Sequence, residues 1–195
     1  MKISNKFSIG CLIQWYEIEL IEEYLQSVKN AVDVIDNKEN VVIDLYFNCS
    51  QELEKVDEEQ ITISDIKRKY ADLLEVIFGD LDYGSYNINS YVNEFSNVMY
   101  TIADYRRDFN NKYCTEVDVL MWGESDSLIP RQTFQILDNL QTAVKEKTPK
   151  YVTFFGTCKM WDDSWLPIEH TEFTDKPFVD GDTENWWSLR YNMNI

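Results

Sequence analysis

The sequence predicts a single-domain α/β fold with a mostly parallel central sheet and helices on both faces. Three observations carry this. Short apolar runs rich in β-branched and aromatic residues alternate with longer amphipathic segments along most of the chain, the mark of strands joined by helical crossovers. The first of these runs is continuously apolar, as a strand covered on both faces requires. Hydrophobic residues make up 44% of the 195 residues and aromatics 14%, enough for one sizeable core.

Taken in order, "KFSIGCLIQW" (6–15) reads as a buried strand. "EIELIEEYLQSVKNAV" (17–32) places Ile18, Ile21, Tyr24, Leu25 and Val28 at helical spacing, with acids on the other face. "NVVIDLYFN" (40–48) is a second strand, and the acidic "SQELEKVDEEQ" after it reads as surface loop or short helix. "ISDIKRKYADLLEVI" (63–77) is a helix with Ser64 or Asp65 as its cap, and "EVIFGD" (75–80) a short third strand. Residues 79–97, rich in Gly, Asn, Ser and Tyr, read as loop. The helix in 97–114 has Val98, Ile102, Tyr105 and Phe109 as its stripe. "EVDVLMW" (116–122) is the next strand, and 131–147 a helix with Phe134, Leu137, Leu140 and Val144 inward. "KYVTFFGTCKMW" (150–161) is a further strand, followed by an aromatic, acidic, non-periodic stretch.

Charge narrows the function. A net charge of −17 repels phosphate backbones and anionic membranes, against general nucleic-acid or lipid-surface binding. A small phosphate ligand stays compatible if a cation or an arginine pocket neutralises it. Cys11, Cys49, Cys114 and Cys158 include no CxxC pair and read as buried free thiols of a cytoplasmic protein. The opening "MKISNKFSIGCLIQWYEIE" is too short in apolar residues for a signal peptide, and no run reaches membrane-span length. Gly-rich phosphate loops, GxGxxG and GxSxG motifs are missing from the sequence.

In a parallel sheet, ligands bind outside the carboxyl ends of the strands. Gln14–Glu17, Asn48–Ser50, Gly79–Asp82 and Gly123–Asp126 all fall at predicted strand ends, so they are expected to gather along one edge. In "VDVLMWGESDSLIP" (117–130) an apolar run stops at Gly123, and Glu124 and Asp126 follow. Two carboxylates at i and i+2 in a turn can converge on a hard divalent cation. They can equally form a solvated turn that caps the next helix. His170, the one histidine, is a candidate third ligand or a structural side chain. Arg106 and Arg107 suit a phosphate or a base edge, or pair with helical acids. Gln14, Trp15, Tyr16 and Glu17 offer a ring and polar groups to a nucleotide; in the competing reading Trp15 packs in the core and Glu17 caps the helix. Asp162 and Asp163, set between aromatics in "MWDDSW", suit sugar binding or general-base work, or an acidic surface turn.

This order of features resembles the family 2-like glycosyltransferases of GT-A (Rossmann-like) fold. The resemblance spans roughly residues 7–170. It rests on "FSIGCLIQWYEIELIEEYLQSV" as first strand, turn and helix, "VVIDLYFNCS" as the second strand with polar end, "ADYRRDFN" as the arginine-bearing helix, and "DVLMWGESDSLIP" as the metal strand. Two departures stand out: Glu124 occupies the place of the usual first Asp, and "NCS" replaces the usual acidic turn. The resemblance implies a UDP- or GDP-sugar donor, Mn²⁺ or Mg²⁺, and a glycan or other hydroxyl acceptor. It implies a nucleotide lying over Gln14, Trp15, Glu17 and Asn48, with Arg106 or Arg107 and Glu124 near it. Asp126 is then the main metal contact, with Glu124 and His170 beside it, and Asp162 or Asp163 the catalytic base. The nucleotide-binding half is expected over roughly 1–126 and the acceptor side over roughly 127–195. The rival expectation is a sugar- or protein-binding module of the same fold without transfer.

Overall fold

The computed structural model describes residues 1–49, 62–79, 84–93, 100–147 and 150–152. These form an α/β Rossmann-like domain. In chain order the elements are β1 (Phe7–Gln14), α1 (Ile21–Asp33), β2 (Val41–Asn48), α2 (Ile63–Phe78), β3 (Asn87–Asn93), α3 (Ile102–Tyr113), β4 (Val119–Trp122) and α4 (Thr133–Val144). The strands lie in the order β3-β2-β1-β4 and every neighbouring pair is parallel. The chain therefore builds outward from β1 on one side, then returns to lay β4 on the other.

The alternation of side chains along β1 and β2 assigns the two faces. Phe7, Ile9, Cys11 and Ile13 join Val41, Ile43, Leu45 and Phe47 in the larger core, beneath α1, α2 and α4. There the Phe134 ring meets Phe7 edge-on at 5.6 Å, and Phe47 stacks on Tyr70 at 4.3 Å. Asp138 of α4 accepts the Ser4 and Asn5 backbone N–H groups at 2.9 and 2.8 Å, which ties α4 to the entry of β1.

Leu12, Val42, Tyr46 and Leu120 face the other way, against Tyr105, Phe109 and Tyr113 of α3. In the middle of this face stands the carboxylate of Asp44, 4% exposed. Tyr113 Oη donates to it at 2.7 Å, Tyr105 Oη at 3.0 Å and Lys112 Nζ at 2.9 Å. Tyr105 Oη also reaches the Asp44 carbonyl oxygen at 2.9 Å. In register with Asp44, Gly10 of β1 leaves the space that these rings fill. A Cβ there would stand 2.6 Å from Phe109 and 2.7 Å from the Tyr105 hydroxyl.

Several expectations need correction. Residues 75–78 are the last turn of α2 and not a strand. The helix stops at Gly79, whose φ of 77° suits glycine. The cap of α2 is Thr62, and Asp65 is its reciprocal partner three residues on. The stretch 79–97 contains β3, an edge strand that buries little. Its pairing needs no apolar face, because polar side chains bond sideways: Ser90 to Tyr70 at 3.0 Å and Asn89 to Tyr113 at 2.8 Å. Gly79 therefore follows a helix and leads into β3, so it does not join the carboxyl edge of the sheet. α1 starts at Ile21, after a 3₁₀ turn over Trp15–Glu17. On α3 the inward positions are Tyr105, Phe109 and Tyr113, while Ile102 is exposed. Cys11 is a buried free thiol and Cys49 is buried, both as expected, but Cys114 is exposed. The acidic segment after β2, Val98, Cys158 and nearly all of the expected strand at 150–161 lie outside the described residues. No helix among the described residues is long and apolar enough to cross a membrane.

Replacing Asp44 with Ala strands two buried hydroxyls and an ammonium, and is expected to lower unfolding free energy by about 3–5 kcal/mol. Asp44→Asn keeps an acceptor and should cost less. Urea unfolding of both variants checks this ordering; equal stability of wild type and Asp44→Ala would refute it.

Candidate functional site at the β1–β4 switch point

β1 has its sequence neighbour β2 on one side and the late-arriving β4 on the other. The strand order reverses there, and the connections leaving β1 and β4 both run to the face that carries α1 and α4, so their first residues lie side by side at the carboxyl ends of the two strands. Both connections begin with polar residues.

Beyond β1, the 3₁₀ turn brings the Glu17 carboxylate back onto the Gln14 backbone N–H at 2.6 Å. Beyond β4, the Gly123 N–H donates to the Gly10 carbonyl at 2.8 Å. The apolar run stops at Gly123 for a steric reason: a Cβ at this position would overlap the hydroxyl of the buried Tyr24 on α1. The chain is then pinned to α1, where Ser27 Oγ donates to the Tyr24 carbonyl at 2.7 Å and accepts the Ile129 N–H at 2.9 Å. Leu128 and Ile129 pack on the larger core.

This fixes the acid triplet. Ser125, 5% exposed, stands beside the Glu17 carboxylate. Asp126 is half-buried and lies close enough to Glu17 to act on it electrostatically. Burial, and to a smaller degree the Asp126 charge, raise the Glu17 carboxyl above its ordinary value, against the pull of the Gln14 N–H and the Ser125 hydroxyl. Glu124 turns the other way and forms an ion pair with Arg106 of α3. The Arg106 guanidinium also lies 5.1 Å from the Trp122 ring centroid, and its Nε is buried without a partner.

Along the same edge runs a row of three carboxamides. Gln14, Asn48 and Asn93 end β1, β2 and β3 and are in register. Asn93 Nδ2 donates to Asn48 Oδ1 at 3.0 Å, and Asn48 Nδ2 donates to Gln14 Oε1 at 3.1 Å.

The structure thus brings together Gln14, Glu17, Asn48 and Asp126, with Arg106 and Glu124 joined beside them. Trp15 packs against the core, and the exposed ring at the end of β1 is Tyr16, 64% exposed. Arg107 pairs with Asp104 at 2.8 Å and Asp108 at 3.7 Å on its own helix. Asp162, Asp163 and His170 lie outside the described residues. Among the described residues, no three His, Cys, Asp or Glu side chains converge as a metal cage. Ser125, Tyr24 and Asn93 are contributors that the sequence did not single out. Ser125 read as a spacer between two acids, Tyr24 as one more apolar-stripe residue, and Asn93 sat in a stretch taken for loop.

The chain matches no family model, no curated protein and no solved structure.

Gly123→Ala is expected to cost about 1–3 kcal/mol by overpacking, and Tyr24→Phe in the same chain should recover part of it; thermal melts of the two variants check this. Glu17 makes a second prediction. Its folded carboxyl holds its proton more tightly than the unfolded one. That contribution to stability is therefore greatest at and below the ordinary glutamate value of 4.5 and falls as pH rises through the raised one. Glu17→Gln should flatten this decline in a melting-temperature series against pH, and an unchanged slope would refute the assignment.

Proposed function

We propose that the chain is a divalent-metal-dependent glycosyltransferase acting on a UDP- or GDP-sugar and a glycan or other hydroxyl acceptor. The observation that carries this is the placing of Glu17, Ser125 and Asp126 at the carboxyl ends of β1 and β4, beside the Gln14–Asn48 amides. A chain of net charge −17 meets a diphosphate poorly unless a cation intervenes. Asp126 and Glu17 offer two hard oxygen ligands, which suits Mg²⁺ or Mn²⁺ completed by phosphate oxygens. Such a cation, when bound, offsets the charge that builds on the leaving diphosphate.

The protein's own groups supply the rest. Gln14, held by Asn48, offers its amide to a base, and Tyr16 offers a ring face. Arg106 stands where it can leave Glu124 for a phosphate. In transfer, the bond from the anomeric carbon to the diphosphate oxygen breaks and one to the acceptor oxygen forms. The acceptor's proton passes to a carboxylate, the role that the glycosyltransferase resemblance gives to Asp162 or Asp163. The Arg106–Glu124 pair favours a second reading, a sugar- or protein-binding module of the same fold. It occupies one of the two acids that the resemblance assigns to the metal.

A thermal-shift series with UDP, GDP and CDP, with and without Mn²⁺, tests the proposal. Stabilisation of wild type that needs both nucleotide and Mn²⁺, and that is lost in Asp126→Ala, is the expected result. If no nucleotide shifts the melt with Mn²⁺, the reading falls. Donor hydrolysis separates the two readings, because binding without turnover favours the module.

A further inference from the structure

The amide row at the carboxyl edge has a direction. Each carboxamide has one donor end and one acceptor end, so a row of them can run either way unless something fixes it. Here Asn93 donates to Asn48 and Asn48 donates to Gln14. The direction is set at the β1 end. The Gln14 side-chain oxygen faces the Glu17 backbone N–H in a capping-box arrangement, short of full hydrogen-bond geometry. Turning the Gln14 amide over would place its NH₂ against that N–H and against the Asn48 NH₂. Two donors would then face Gln14 with no acceptor between them. The oxygen is thus committed inward, and the Gln14 Nε2 group donates to no described residue. Asn48 is 7% exposed, whereas Gln14 is partly exposed at the carboxyl end of β1.

We infer that Gln14 is a base-selecting residue that presents only hydrogen-bond donors to the ligand, and that Asn48 is the positioning residue that holds it so. The inference rests on the nucleotide-binding reading above and names the class of nucleotide. A fixed donor fits a base that offers a carbonyl oxygen, uracil or guanine. It opposes a base that offers an amino group in the same place, cytosine or adenine. Uracil and cytosine are nearly isosteric and differ at position 4, where O4 replaces the N4 amino group, and at N3, which carries a hydrogen only in uracil; in this reading the Gln14 amide faces position 4. The choice between them is therefore one of hydrogen-bond polarity and not of shape.

Titration of UDP and CDP, each with Mn²⁺, into the whole chain tests this. Wild type should prefer UDP by about tenfold or more, the size of one matched against one opposed hydrogen bond. Gln14→Glu keeps oxygens facing Asn48 and the Glu17 N–H but presents an acceptor outward, so the UDP-to-CDP ratio should fall and invert. Its added charge weakens both ligands alike and leaves the ratio readable. Asn48→Asp still accepts from Asn93 but cannot donate to Gln14, so the ratio should shrink towards one with UDP still bound. This holds the test open if Gln14→Glu melts early. Equal affinity of wild type for UDP and CDP, or a ratio unchanged in both variants, overturns this inference and leaves nucleotide binding standing. No binding of UDP, CDP or GDP by wild type overturns both.

Discussion

The buried carboxylate of Asp44 is the constraint on which the arrangement of this domain depends. A charge in the middle of a sheet face is costly unless it is paired and hydrogen-bonded. Here three donors, from Tyr105, Lys112 and Tyr113, all come from one helix. They reach Asp44 together only when α3 sits at one height and one rotation on the sheet. Gly10, in the neighbouring strand and in register, lets the rings approach. Apolar packing alone would tolerate a range of helix positions; the carboxylate selects one.

That selection bears on the carboxyl edge. Arg106 is the residue after Tyr105, so the anchoring that places the tyrosine also places the guanidinium against Trp122 and Glu124. From the opposite face, α1 acts through Tyr24 and Ser27, which dictate a glycine at 123 and hold the chain beyond it. The acid triplet is thus gripped from both sides of the sheet. Ser125 stands beside Glu17 and the Asp126 charge acts on it, while Glu124 pairs with Arg106 of α3. Two acids two residues apart in sequence end up in different electrostatic surroundings.

The carboxyl edge combines two kinds of recognition chemistry. On the β1–β4 side are the charges: Glu17 and Asp126 close together, and Arg106 paired with Glu124. On the β1–β2–β3 side are neutral amides in a row. Gln14 belongs to both, since its backbone N–H holds Glu17 and its side chain ends the amide row. Under the proposed function, a cation held by Glu17 and Asp126 would take the diphosphate of the donor, and the amide row its base.

The sequence by itself determined the strands and helices whose side chains bury an apolar stripe. β1, α1, β2, α2, α3, β4 and α4 were legible because burial imposes a spacing of two or of about three and a half residues. The polar ends of β1, β2 and β4 were legible too, since an apolar run that halts at Gln14, Asn48 or Gly123 announces a strand end. β3 was not, because an edge strand of Asn, Ser and Tyr is held by its ladder and by side-chain bonds to distant residues, and these leave no local pattern. Nor could spacing show that Asp44, read as one more strand residue, anchors a whole helix. Only the tertiary structure decided that Glu124 pairs with Arg106 while Glu17 meets Asp126, and that Asn93 completes the row with Asn48 and Gln14. Those pairings depend on strand order and register, which are set by how the crossovers pack and not by any one segment.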